Sequence, residues 1–113
     1  MRQIFEKNTR IMTNLLAFLY ELGGESFHVD ISPGARVSRM RICAKIPHLS
    51  AQTIKDMEST LRLPRQRDME ENYWYLSGES EFGSNLTLVA LMTDCVHFSY
   101  QDGELTVELE REE

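Results

Sequence analysis

Four segments in which apolar and polar residues alternate constrain this chain most strongly. They fall into two pairs, residues 26–31 with 37–46 and residues 96–100 with 105–109. Such alternation predicts β-strands with one face in the core and the other in solvent. The short connections, Ser32-Pro33-Gly34 and Gln101-Asp102-Gly103-Glu104, are rich in turn-forming residues, which favours two antiparallel hairpins.

The remaining segments have helical periodicity. An apolar stripe at three- and four-residue spacing predicts a helix over residues 4–22, ended by Gly23-Gly24. A second helix is predicted over residues 51–61, capped by Ser50, and a short one over 69–76, capped by Asp68. Residues 84–92 are predicted to form a short buried helix, capped by Ser84 or Asn85. A buried strand is the alternative for this last segment, because periodicity does not distinguish such short apolar runs.

Helices and strands are grouped along the chain, so we predict an α+β fold. The expected architecture is a two-layer sandwich: a mostly antiparallel sheet of about four strands with the helices on one face, in a single domain of residues 1–113. The other face of the sheet should be solvated. Its predicted members are His28, Asp30, Arg39, Arg41, Cys43, Lys45, His97, Ser99 and Glu108.

Charge and composition exclude several classes of protein. Eighteen acidic residues against 12 basic ones give a net charge of −6, which argues against nonspecific nucleic-acid binding. No apolar run is long enough to span a membrane, and the N-terminus lacks the apolar core of a signal peptide. Two isolated cysteines without a CxxC motif argue against structural zinc and suit a reducing cytosol. We therefore expect a cytoplasmic protein without a metal or cofactor. The acidic C-terminal end is expected to fray beyond residue 109 or 110.

Three motifs occur in a familiar order. Asn14-Leu15-Leu16-Ala17-Phe18 lies in the first helix, Ile46-Pro47 ends a strand, and Gly83-Ser84-Asn85-Leu86-Thr87-Leu88-Val89 leads into the last helix. This order resembles the GHKL-type ATPase domain of sensor histidine kinases, most closely the compact form in anti-sigma-factor serine kinases. That family has an asparagine-bearing helix, an Asp-x-Gly-x-Gly-Ile-Pro box and a Gly-Leu-Gly-Leu-x-Leu-Val helix. If a nucleotide binds, the resemblance implies contacts from Asn14, Gly83, Ser84 and Asn85.

The adenine side of the motif departs from the family. Aligned on Ile46-Pro47, the adenine-binding aspartate falls at Arg41, and the two glycines fall at Cys43 and Lys45. An arginine has only donors and cannot accept a hydrogen bond from the adenine amino group. Side chains at the two glycine positions should fill space that the nucleotide needs.

The catalytic and phosphate positions depart as well. The base-like glutamate four residues before Asn14 is Arg10, and the second glycine of the phosphate box is Asn85. Glu79 and Glu81 add negative charge beside the helix that would hold the phosphates. The sequence therefore predicts a non-catalytic, GHKL-like interaction or regulatory module of a bacterial cytosol, without an enzymatic activity. The alternative is an ATP-binding serine kinase or ATPase with an atypical site.

A protein partner is the expected ligand, and a homodimer is one form it could take. Predicted contacts are the basic residues Arg39, Arg41 and Lys45 and the aromatic cluster Tyr73, Trp74 and Tyr75, since aromatic and arginine side chains are enriched at interfaces. The alternative for the basic residues, and for Arg62, Arg65 and Arg67, is ordinary surface charge paired with glutamates. The alternative for Trp74 is that its side chain covers the hydrophobic core beneath a long loop. RNA binding is disfavoured because the aromatics do not alternate with the arginines along a strand.

The outer sheet face also holds residues that can bind metals or react. His28, His97, Asp30 and Cys43 would make a metal cluster only if the strand order brought them together; solvated side chains are the alternative. Cys43 beside Arg41 and Lys45 is a weak candidate nucleophile, because nearby cations favour a thiolate but no base is placed by the sequence.

Overall fold

The structure, a computed structural model, describes residues 1–70 and 85–113. Its elements are α1 (Arg2–Glu21), β1 (Ser26–Ser32), β2 (Val37–Lys45), α2 (Ala51–Leu61), a 3-10 turn (Arg67–Met69), α3 (Asn85–Leu91), β3 (Cys95–Gln101) and β4 (Glu104–Glu112). The strands form one sheet in the order β1-β2-β4-β3, and each neighbouring pair is antiparallel. The predicted α+β sandwich is confirmed. The short helix expected over residues 69–76 lies mostly outside the described residues, and Asp68 is part of the 3-10 turn.

The helix ends follow local sequence signals. Gly23 has a φ of +100°, a left-handed conformation that ends α1 as predicted. Ser50 caps α2, since its Oγ accepts a hydrogen bond from the Thr53 N–H at 3.1 Å. The segment that forms α3 is helical, so the alternative of a buried strand is wrong. It packs against both α1 and α2, which explains why it is apolar on nearly all sides.

The β3–β4 hairpin closes through a two-residue turn. Asp102 and Gly103 both have positive φ angles, 53° and 77°, as a type I′ turn requires. This turn fixes the register, in which Gln101 pairs with Glu104 and Phe98 pairs with Val107. In this register the outward-facing side chains of β3 lie beside those of β4, and the inward-facing side chains of the two strands likewise lie side by side.

The core lies between the helices and the middle of the sheet. Inner side chains of the central strands β2 and β4 are at most 2% exposed: Met40, Ile42, Ala44, Leu105, Val107 and Leu109. The edge strands are covered less well. On β1, Phe27 and Ile31 are half-buried and Val29 is 40% exposed, while on β3 Val96, Phe98 and Tyr100 are half-buried. No helix of the described residues is long and apolar enough to cross a membrane.

The C-terminal residues do not fray as predicted. Strand β4 continues to Glu112, which pairs with Val37, and the Glu113 N–H donates to the Arg36 carbonyl at 2.9 Å. The expectation was wrong because it treated this acidic segment as a chain end that nothing ties down. Arg111 points inward in the alternation and is only 2% exposed, so its side chain holds the end of the strand in place.

Candidate functional site

The face of the sheet that points away from the helices, here called the outer face, carries polar side chains in transverse rows. Strand alternation selects the residues, and the registers align them across all four strands. One row is Ser32, Arg39, Glu110, Cys95; the next is Asp30, Arg41, Glu108, His97; then His28, Cys43, Thr106, Ser99; then Ser26, Lys45, Glu104, Gln101. All nine residues predicted for this face lie on it.

The basic side chains of the outer face lie along β2, and a row of carboxylates lies beside them along the neighbouring strand β4. The side chains of Arg39, Arg41 and Lys45 are 72%, 54% and 66% exposed. Arg39 Nε lies 3.3 Å from Glu110 Oε1, and Arg41 Nε lies 3.9 Å from Glu108 Oε1. Exposed pairs of this kind contribute at most about 1 kcal/mol each. They can therefore be exchanged for pairs with another molecule at small cost.

A shallow cavity of about 280 Å³ opens on this face between the first two rows. Its polar lining is contributed by all four strands: Asp30, Ser32, Arg39, Arg41, His97, Glu108 and Glu110. Two guanidinium groups and three carboxylates surround it, so it offers both donors and acceptors. A protein surface with mixed charge matches such a lining better than a single anion does.

The three positions aligned with the adenine side of the family motif lie on the outer face. Arg41, Cys43 and Lys45 all point away from α1 and α3. Alternation thus turns these three side chains away from the helices, and the expectation that Cys43 and Lys45 fill space that a nucleotide needs stays a prediction. The inner side chains of the same segment, those at 40, 42, 44 and 46, are all apolar and at most 2% exposed. They include no carboxylate that could accept from an adenine amino group.

The other nucleotide residues fall in two groups. Asn14 is 3% exposed, and its Nδ2 donates to the Arg10 carbonyl of the same helix at 2.9 Å. Asn85 is the first residue of α3 and is half-buried. Gly83 and Ser84 lie outside the described residues, as do the phosphate loop and the cap predicted at Ser84. The same holds for the aromatic cluster Tyr73, Trp74 and Tyr75.

The strand order separates the candidate metal ligands. His28 lies on β1 and His97 on β3, at opposite edges of the sheet and in neighbouring rows, so three strand spacings separate them by more than about 14 Å. Within residues 1–70 and 85–113, no three His, Cys, Asp or Glu side chains lie close enough to hold a metal ion. Cys43 contacts Thr106 Oγ1 at 3.7 Å, while the thiol beside a histidine is Cys95, whose Sγ lies 3.4 Å from His97 Nε2. The Cys-x-His spacing along a strand was the sequence signal for that pair.

A second charged group, which we call the ionic cluster, consists of Arg65, Glu70, Asp94, Arg111 and Glu113. The Glu70 carboxylate accepts from Arg65 Nε at one oxygen and from Arg111 Nη2, at 2.7 Å, at the other. Arg65 Nη1 also donates to Asp94 Oδ2 at 2.6 Å. Four of the five side chains are at most 11% exposed. Arg65 is thus mostly buried and is not one of the surface charges that the sequence suggested.

The electrostatics of the cluster favour its charged form. Burial alone would lower the pKa of Arg65, but the hydrogen bond and charge of Glu70, with those of Asp94, raise it above its ordinary value. Burial alone would raise the pKa of Asp94, but the Glu112 N–H and the guanidinium groups of Arg65 and Arg67 lower it. The cluster joins the segment after α2 to the end of β4 and to the α3–β3 turn. This arrangement is structural, because its polar groups are directed at one another.

Comparison of the chain with models of known protein families, with curated proteins and with solved structures gave no match.

Proposed function

We propose that this chain is a non-catalytic GHKL-like domain that binds a protein through the outer face of its sheet and has lost the nucleotide site. The two faces of β2 carry the proposal. Its inner face is buried and, apart from Ser38 near the start of the strand, apolar, whereas its outer face presents three exposed cations. A strand with this distribution can support a core and a docking surface, but it supplies no acceptor for adenine.

The order of the elements supports the family relationship. A helix, a β-hairpin, further helices and a second hairpin follow one another along the described chain, in the order that the resemblance implies. Fold alone does not give function, so the functional part of the proposal rests on the site. In the motif alignment Arg10 takes the glutamate position and Arg41 takes the aspartate position, and the side chain of Arg41 lies on the outer face. Neither can accept a proton or a hydrogen bond.

The nucleotide part is tested by isothermal titration calorimetry with Mg-ATP. We expect no binding heat, because no adenine acceptor is present at the matching position. Binding with micromolar affinity would refute the loss of the site and favour the alternative of an atypical ATP-binding kinase or ATPase. Asn14→Ala is a useful companion, since a signal that it abolishes would locate the nucleotide at α1.

The partner part is tested by affinity capture from native cytosol. The variant Arg39→Glu/Arg41→Glu reverses two cations on the outer face, and Arg2→Glu/Lys55→Glu reverses two exposed cations on the helices as a matched control. We expect specific partners to be captured by the wild type and the control but to be lost with the outer-face variant. Complementary charge also accelerates association, so the captured complex should form more slowly at high salt. Equal capture by both variants would remove the outer face as the contact.

A further inference from the structure

Strand β3 is an edge strand without the usual protection against pairing. Its seven residues, Cys95–Gln101, pair with β4 on one side, and no described residue pairs with the other side. Proteins normally block such an edge with lysines, other charges, a proline or a bulge. The sequence Cys-Val-His-Phe-Ser-Tyr-Gln has no proline and no formally charged residue, and its register with β4 is continuous.

The apolar side of this edge is also incompletely covered. Val96, Phe98 and Tyr100 face the helices but are only half-buried, unlike the inner residues of the central strands. A groove of about 400 Å³ runs between β3 and α2, with Ile54 and Leu61 on its helical side. Unpaired backbone groups beside a groove with both apolar and charged lining residues form a surface that an added β-strand can complete.

We propose that this surface binds the β3 strand of a second copy of the chain, giving a two-fold symmetric dimer with one continuous eight-stranded sheet. The strand is self-complementary when it pairs antiparallel with itself about Phe98. Val96 then lies opposite Tyr100 of the second copy, Phe98 opposite its equivalent, and His97 opposite Ser99. Aromatic and β-branched residues make favourable cross-strand pairs, and no like charges meet. This register alone uses all seven residues while keeping the apolar side chains on one face.

Charges on α2 fit the same symmetry. Glu58 and Arg62 form an ion pair at the rim of the groove, one helical turn apart. A two-fold axis perpendicular to the sheet places the two α2 helices antiparallel on the same side of it. Glu58 of each copy then faces Arg62 of the other, so the same surface is complementary to itself, as an isologous interface requires. The other edge strand, β1, carries Asp30 and is less suited to this role.

Sedimentation equilibrium from low micromolar to submillimolar concentration tests the dimer. We expect the mass to rise from 13.1 kDa towards twice that value. His97→Lys/Ser99→Lys places lysines opposite each other across the dimer, at two positions on the outer face, and should raise the Kd at least about tenfold. Ser26→Lys/His28→Lys on β1 is the matched control and should dimerise as the wild type does.

A charge-exchange mixture gives a positive test of the register. His97→Glu/Ser99→Glu should weaken the dimer as the lysine variant does. Mixing the two variants sets a lysine at position 97 or 99 of one chain opposite a glutamate of the other and should restore a dimer. The proposal is overturned by a monomeric wild type, by a lysine variant that dimerises like its control, or by a mixture that stays monomeric.

If a variant does not fold, hydrogen exchange of the wild type decides. The outward amides of β3 must become protected as the concentration rises, and unchanged exchange overturns the proposal. The test uses neither ATP nor a captured partner, so it is independent of the proposed function.

Discussion

Replacing Glu70 with glutamine should remove the carboxylate that joins two buried arginines. Glu70 accepts from Arg65 at one oxygen and from Arg111 at the other, and its side chain is 11% exposed. Glutamine offers only one acceptor oxygen, and its amide nitrogen is a donor, so one guanidinium group would lose its hydrogen bond to residue 70. Both arginines would lose the negative charge at that position, although Arg65 keeps Asp94 and Arg111 keeps Glu113. Breaking a buried ion pair costs about 3–5 kcal/mol. Since Glu70 retains some exposure, we expect a loss of about 3 kcal/mol, at the lower end of that range.

The assay is equilibrium unfolding in urea, followed by circular dichroism at neutral pH and physiological salt. The midpoint should fall at an unchanged slope, since the surface exposed on unfolding stays the same. In a thermal scan the same loss should lower Tm by roughly 10–15 °C for a domain of this size. Glu6→Gln is the matched control. It breaks an exposed pair with Arg2 on α1, with Glu6 60% exposed, and should cost less than about 0.5 kcal/mol.

Equal effects of the two substitutions would refute this account of the ionic cluster. So would a Glu70→Gln variant within about 0.5 kcal/mol of the wild type, since a surface pair would then describe the contact better.

Three further changes have expected outcomes. Asn8 is fully buried, and neither its Nδ2 nor its Oδ1 has a hydrogen-bond partner among the described residues. Asn8→Leu should therefore raise the free energy of unfolding, measured in urea, by about 1–2 kcal/mol. A loss of stability would contradict this. Ser50→Ala removes the α2 cap and should cost about 1 kcal/mol in the same assay, whereas an unchanged midpoint would show that the cap contributes nothing. In the folded state the pKa of Asp94 lies below its ordinary value of 3.8. The Asp94 carboxylate therefore contributes fully to stability above the ordinary pKa, and this contribution is lost as the pH falls through the pKa of the folded state. The stability difference between the wild type and Asp94→Asn should therefore shrink below about pH 4, and a difference independent of pH down to acid unfolding would contradict this.

The sequence determined the elements and their faces, because these depend on local chemistry. Alternation assigned all nine outer-face residues correctly, the Ser50 cap set the start of α2, and Gly23 ended α1. For the apolar run before Cys95 the sequence predicted a helix, which is confirmed, but kept a strand as the alternative. Only its packing between α1 and α2 decided for the helix, since a segment buried on most sides carries no clear period.

Tertiary structure decided which distant residues meet. Strand order is set by how the two hairpins pack, and the order β1-β2-β4-β3 places His28 and His97 at opposite edges and leaves β3 unpaired on one side among the described residues. The ionic cluster joins Arg65 to Arg111, far along the chain, through Glu70, and no local pattern distinguishes these charges from solvated ones. Burial distinguishes the charges of the ionic cluster from solvated ones, because a charge removed from water is stable only beside a partner of opposite charge. The position of that partner depends on the whole fold.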